Sequence, residues 1–114
     1  MHPIRSLRRS FVALLPVTLA LLCAPVHAAD ADQLELGKKL FTQAVPACAA
    51  CHTLQDAGSQ GAVGPVLDEI KPDAARVAKA VKNGLGQMPA YTTLSDVQIQ
   101  ALARYVAKAS GEGK

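Results

Sequence analysis

Cys48-Ala49-Ala50-Cys51-His52 places two thiols and an imidazole within five consecutive residues. This is the C-x-x-C-H pattern of covalent c-type haem attachment. Two thiols three positions apart on a turn reach the two vinyl groups of one porphyrin as thioethers, and the histidine that follows is held under the iron with Nε2 as proximal ligand. Other uses of such thiols fit less well. A thioredoxin-like redox pair needs a strand before it in a βαβ unit. A structural disulfide between Cys48 and Cys51 closes only a tiny loop, stabilises little, and leaves His52 without a role.

What else can bind a metal depends on how much of the chain persists. Arg5, Arg8 and Arg9 precede an apolar run from Phe11 to Leu22, and Val26-His27-Ala28 ends on a small residue before Ala29-Asp30. That order is the one expected of a secretory signal peptide cleaved after Ala28. Pro16 interrupts the run, which falls short of the roughly 20 residues that cross a bilayer, so no stable membrane anchor is expected after cleavage. Cys23 is a poor lipidation site because Leu22 stands where a small residue is wanted. The expected organisation is a cleaved leader over 1–28 and one domain over 29–114, with a periplasmic location in a bacterium.

Cleavage removes Met1, His2, Cys23 and His27, leaving Cys48, Cys51, His52 and Met88 as the His, Cys and Met inventory. Zinc, which wants about four ligands, is left with three crowded N or S donors. For a haem iron, Met88 is the favoured sixth ligand, because Gly86-Gln87-Met88-Pro89 is a loop that can carry the sulfur to the far face. Lys79 and Lys82 are further candidates, and a methionine can also simply fill a core.

The elements that must position these residues read as helices. Asp30 to Ala44 is expected to be the first, with Asp32 as N-cap, Leu34, Gly37 and Phe41 on one face, Leu40 beside them, and Pro46 beyond its end. Ala47 to Leu54 holds the cysteine motif on a short helical turn. Gln55 to Gly64 is a loop by composition. Asp73 to Asn83 is a helix stopped by Gly84, with Val77, Ala80 and Val81 as its apolar face. Gly86 to Thr93 is a second loop. Ser95 and Gln98 form a capping box for a last helix to about Ala109, along which Ile99, Leu102, Ala103 and Val106 repeat at helical spacing. No stretch alternates long enough to be a strand, so the class is all-α.

In this order the chain resembles the class I cytochrome c family over the whole of residues 29–114. The resemblance rests on Gly37 and Phe41 in the first helix, C-x-x-C-H, Gly64-Pro65-Val66-Leu67, Met88-Pro89, and Leu102 with Tyr105 in the last helix. It implies an all-α cytochrome c fold, with three main helices and a short turn around one covalently bound haem c per chain. It implies His52 and Met88 as axial ligands, first and last helices crossing at Gly37 near Phe41 and Tyr105, and a Pro65 carbonyl that accepts the Nδ1 proton of His52. Trp is absent, so no indole donor to a haem propionate is carried over; Tyr91 is the remaining aromatic candidate.

The implied function is a periplasmic one-electron carrier, not itself an enzyme, that exchanges electrons with periplasmic redox proteins: a dehydrogenase as donor, an oxidase or another cytochrome as acceptor. The alternative is a dedicated haem subunit of a periplasmic dehydrogenase, for example a sulfite dehydrogenase. A haem-based ligand sensor is a weaker third reading, because it needs an easily broken bond to Met88.

Composition agrees with a large cofactor. The chain has 114 residues, 4% aromatic and no Trp, too few large side chains to fill a core unaided. Its formal charge of +3 comes from the leader: all nine acidic residues lie at or after Asp30, while Arg5, Arg8 and Arg9 fall before it. The remaining domain is balanced, which gives no reason to expect nucleic acid as a partner. Lys38 with Lys39, and Lys79 with Lys82, are candidate docking patches, although lysines at such spacing usually form a solvated face.

Overall fold

The computed structural model describes residues 26–112. Most of the expected leader, residues 1–25, lies outside the described residues. Five α-helices follow in order: α1 (Val26–Gln43), α2 (Cys48–Cys51), α3 (Leu67–Ile70), α4 (Ala74–Asn83) and α5 (Asp96–Ser110). Among the described residues, no helix is long and apolar enough to cross a membrane. The chain is mostly helical, as its periodicity indicates.

The long helices begin and end where local chemistry dictates. Asp73 caps α4 by accepting from the Arg76 backbone N–H at 2.7 Å. Ser95 and Gln98 close the expected capping box at α5, with reciprocal bonds of 2.9 and 3.2 Å. Such caps satisfy backbone donors that a helix leaves unpaired at its start. Helix α1 departs from expectation, because it starts at Val26 and Asp32 lies inside it. Ala28, Ala29 and Ala31 are strong helix formers, so the helix runs through them and needs no cap at Asp32.

Between α2 and α4 the expected loop is more ordered. Thr53–Leu54 (β1) and Ser59–Gln60 (β2) pair antiparallel around a 3-10 turn at Gln55–Ala57. The pairing is too short to leave a period in the sequence. It is held instead by Ser59 Oγ, which donates to the His52 carbonyl at 2.9 Å and accepts from the Leu54 N–H at 3.0 Å. The single turn α3 was also not expected. Its Asp68 carboxylate accepts from the Gln55 N–H at 2.9 Å, tying α3 to the turn after β1.

Helices α1 and α5 cross at Gly37. A Cβ there would land on the Ala101 carbonyl and on Tyr105 Cβ, so only glycine lets the backbones approach this closely. Phe41 and Tyr105 meet beside the crossing edge to face, with ring centroids 6.1 Å apart. Phe41, Leu54, Val81 and Leu102 are the most deeply buried large side chains. The Tyr105 phenol donates to Asp56 Oδ2 at 2.7 Å, and Lys38 Nζ sits 3.1 Å from the same oxygen. One carboxylate thus joins α1, the 3-10 turn and α5.

Two expectations follow. Gly37→Val forces the crossing apart and should cost about 1–3 kcal/mol of stability, read in thermal or denaturant unfolding. An unchanged midpoint would show that the crossing tolerates a side chain. The Tyr105 hydrogen bond, followed by Lys38, holds the Asp56 carboxyl below its ordinary value. A depressed carboxylate contributes stability above its unfolded pKa of about 3.9, and that contribution fades as pH falls through the lower folded value. The stability gap between the native chain and Tyr105→Phe should therefore be larger at about pH 6 than at about pH 3. Equal gaps at both pH values would contradict the assignment.

Candidate functional site

A cavity of about 750 Å³ opens between α2, α3, α4, α5 and the loop after α4. Folded interiors are close-packed, so a space this large marks the seat of a cofactor-sized group. Its floor is hydrocarbon: Phe41, Leu67, Val81, Leu102 and Val106 all contribute. Cys48, Cys51, His52, Pro65 and Met88, drawn from three separate stretches of chain, all line it.

The cysteine motif is shaped by the backbone on both sides. Helix α2 is a single turn whose C-cap, His52, adopts an extended conformation and bonds its N–H to the Cys48 carbonyl at 2.9 Å. Cys48 is buried, Cys51 is half-buried, and both are free thiols. Burial pushes the Cys48 thiol above its ordinary value, while the nearby Tyr91 phenol acts in the opposite sense. Among the described residues no group of three or more His, Cys, Asp or Glu side chains is placed to hold a metal ion by itself.

His52 is fixed by Gly64-Pro65. Its Nδ1 lies 3.0 Å from the Pro65 carbonyl oxygen. A carbonyl can only accept, so Nδ1 carries the proton and Nε2 keeps its lone pair for a metal. A Cβ on Gly64 would fall 2.7 Å from Nδ1. Gly64 also donates its N–H to the Cys51 carbonyl at 2.8 Å, so one short segment clamps both the motif's backbone and its imidazole.

Met88 faces the cavity from the loop after α4. Leu85 and Met88 exchange reciprocal backbone bonds of 3.0 Å, which close a tight turn with Gly86 at φ +58°. Only glycine takes that conformation without strain. Of the alternative lysines, Lys79 lines the cavity, whereas Lys82 does not and instead bonds Asp96 at 2.9 Å.

Sequence reasoning missed part of the wall. Arg76 and Asn83 also line the cavity from α4. With Lys79 between them at helical spacing, they form a polar row beside the Val77–Val81 face. Tyr91 has a different place from the one considered for it. It is buried, and its phenol donates to the Pro46 carbonyl at 2.8 Å, so its one proton is committed to the protein itself.

The donor set and the shape of the cavity therefore suit a broad, flat apolar group anchored by two thioethers and one imidazole. Comparisons with known proteins point the same way. Residues 32–106 match the family described as cytochrome c oxidase, cbb3-type, subunit III. The chain is 31% identical to cytochrome c6 of Cyanidium caldarium, across 92% of this chain and 97% of that one. It also superposes on the crystal structure of the c-type cytochrome SorU from Sinorhizobium meliloti with a TM-score of 0.70. That match has 52% identity and covers 71% of this chain and 94% of the other.

A cavity of this size cannot be closed by the side chains around it. A Cys48→Ala, Cys51→Ala double variant, which removes the two thiols that would anchor such a group, should lose its cooperative thermal melt. A melt close to that of the native holoprotein would show that the shell is stable by itself.

Proposed function

The chain belongs to the small class I c-type cytochromes, and from this we propose that it is a periplasmic electron carrier in which Cys48 and Cys51 anchor the haem and His52 and Met88 bind its iron. As in its relatives, it carries covalently bound haem c and is an electron-transfer protein, not an enzyme in its own right. When bound, the haem supplies a one-electron couple between ferric and ferrous iron. The observation that carries the site assignment is the convergence on one cavity of both motif thiols, the oriented His52 and Met88.

Each residue has a distinct task in this reading. Cys48 and Cys51 hold the group covalently, so it cannot dissociate from a small domain. Pro65 keeps His52 in the Nδ1–H tautomer and increases the basicity of Nε2. Met88 offers a soft thioether, which favours the ferrous state and raises the potential. The hydrocarbon floor excludes water and adds to the same preference. With His52 and Met88 both engaged, no coordination position is left for a substrate.

Electrons must enter and leave at the cavity mouth. Val63, Ile70 and Leu85 add large aliphatic side chains to the cavity wall. The two lysine pairs are less free than their spacing suggests, since Lys38 is paired with Asp56 and Lys82 with Asp96. The domain assignment belongs to the same proposal: residues 1–28 export the chain and 29–114 form the cytochrome.

The test is spectroscopic. The native ferric protein should show the weak red absorption band of methionine sulfur on haem iron. Met88→Ala should lose the band and lower the reduction potential while keeping the haem attached. If Met88→Ala retained both the band and the potential, another ligand would be in place and the assignment would be wrong.

A further inference from the structure

The loop that carries Met88 is held to the rest of the chain by few bonds. Gly84 ends α4 with a bond to the Ala80 carbonyl, and the Leu85–Met88 turn closes only on itself. Beyond Met88, the backbone N–H of Tyr91 donates to the Val81 carbonyl at 2.9 Å, which attaches the loop to α4, the helix it comes from. Among the described residues, one side-chain hydrogen bond ties this loop to the other wall of the cavity. It is the Tyr91 phenol donating to the Pro46 carbonyl at 2.8 Å, across 45 positions of sequence.

Pro46 stands two residues before Cys48, so this bond joins the Met88 loop to the segment that leads into the cysteine motif. Tyr91, Pro46, Cys48 and Met88 all line the same cavity. Tyr91 is 7% exposed, so little water competes for the phenol proton.

We propose that Tyr91 is a positioning residue for Met88: its phenol latches the Met88 loop to Pro46 and so holds the sulfur against the face of the cavity opposite His52. This rests on the reading of Met88 as the sixth ligand. The latch acts on a population. A state in which Met88 has swung away is open to an external ligand, and the apparent affinity of that ligand scales with the fraction of open protein. Removing one buried hydrogen bond that exists only in the closed state enlarges that fraction about 5- to 10-fold.

Imidazole is a suitable probe, because it binds ferric haem only where Met88 has left. Tyr91→Phe keeps the ring that packs the cavity wall and deletes only the hydroxyl, so the holoprotein remains folded. Tyr105→Phe is the matched control: it also deletes a buried phenol's hydrogen bond, but one made to Asp56 at 2.7 Å near the α1–α5 crossing.

Titration of the ferric holoproteins with imidazole, read by the shift of the haem's Soret band, should give Tyr91→Phe a dissociation constant about 5- to 10-fold lower than native, with Tyr105→Phe within about twofold of native. Met88→Ala should bind imidazole far more tightly than either. Native-like affinity in Tyr91→Phe alongside tight binding in Met88→Ala overturns the latch while leaving Met88 as ligand. Equal shifts in Tyr91→Phe and Tyr105→Phe also overturn it, since general loosening would then explain both. An unchanged affinity in Met88→Ala overturns the ligand reading, and the latch with it.

Discussion

The structure depends on a space that the polypeptide does not fill. A cavity of about 750 Å³ runs through the middle of a 114-residue chain with no Trp and few aromatic side chains. Close packing is what makes a folded core stable, and a void of this size forfeits dispersion contacts along all of its wall. The haem therefore acts as the missing core, and the five helices behave as a shell around it. Covalent attachment suits such a shell, because the group that completes its packing is then kept from dissociating.

The shell grips its two open faces differently. On the His52 side the constraints are short-range and backbone-based: Gly64 closes on the Cys51 carbonyl, and the Pro65 carbonyl fixes the imidazole. On the other side the proposed ligand, Met88, sits on a four-residue turn, with its nearest lateral support from Tyr91. The first arrangement is rigid by construction. The second is the place where the two sides of the domain must be brought together, and where the coordination can be tuned or lost. The Asp56, Tyr105 and Lys38 cluster does comparable work at the α1–α5 crossing, away from the iron.

Features set by near neighbours in sequence were legible from the residues. The Ser95–Gln98 capping box and the C-x-x-C-H turn both depend on groups three or four positions apart. Gly37, Phe41 and Tyr105 were legible through resemblance, and they meet at the α1–α5 crossing. What escaped was built by distant partners. The β1–β2 pair and α3 are held by Ser59 and Asp68 bonding to residues 5 to 13 positions away, and nothing in a two- or four-residue stretch announces that. Arg76 and Asn83 sat in plain view at helical spacing, yet only the position of α4 shows that they face the cavity. The early start of α1 was misread because a capping-type residue, Asp32, was given more weight than the alanines before it.

As proposed, this chain is a shell built around one haem joined to Cys48 and Cys51. Mass spectrometry of the purified holoprotein tests this, on the intact chain after acid-acetone extraction and on its tryptic fragments. One haem per chain should survive extraction and travel with the fragment containing Cys48–His52. A fragment with both cysteines unmodified, and haem released into the solvent, would contradict it.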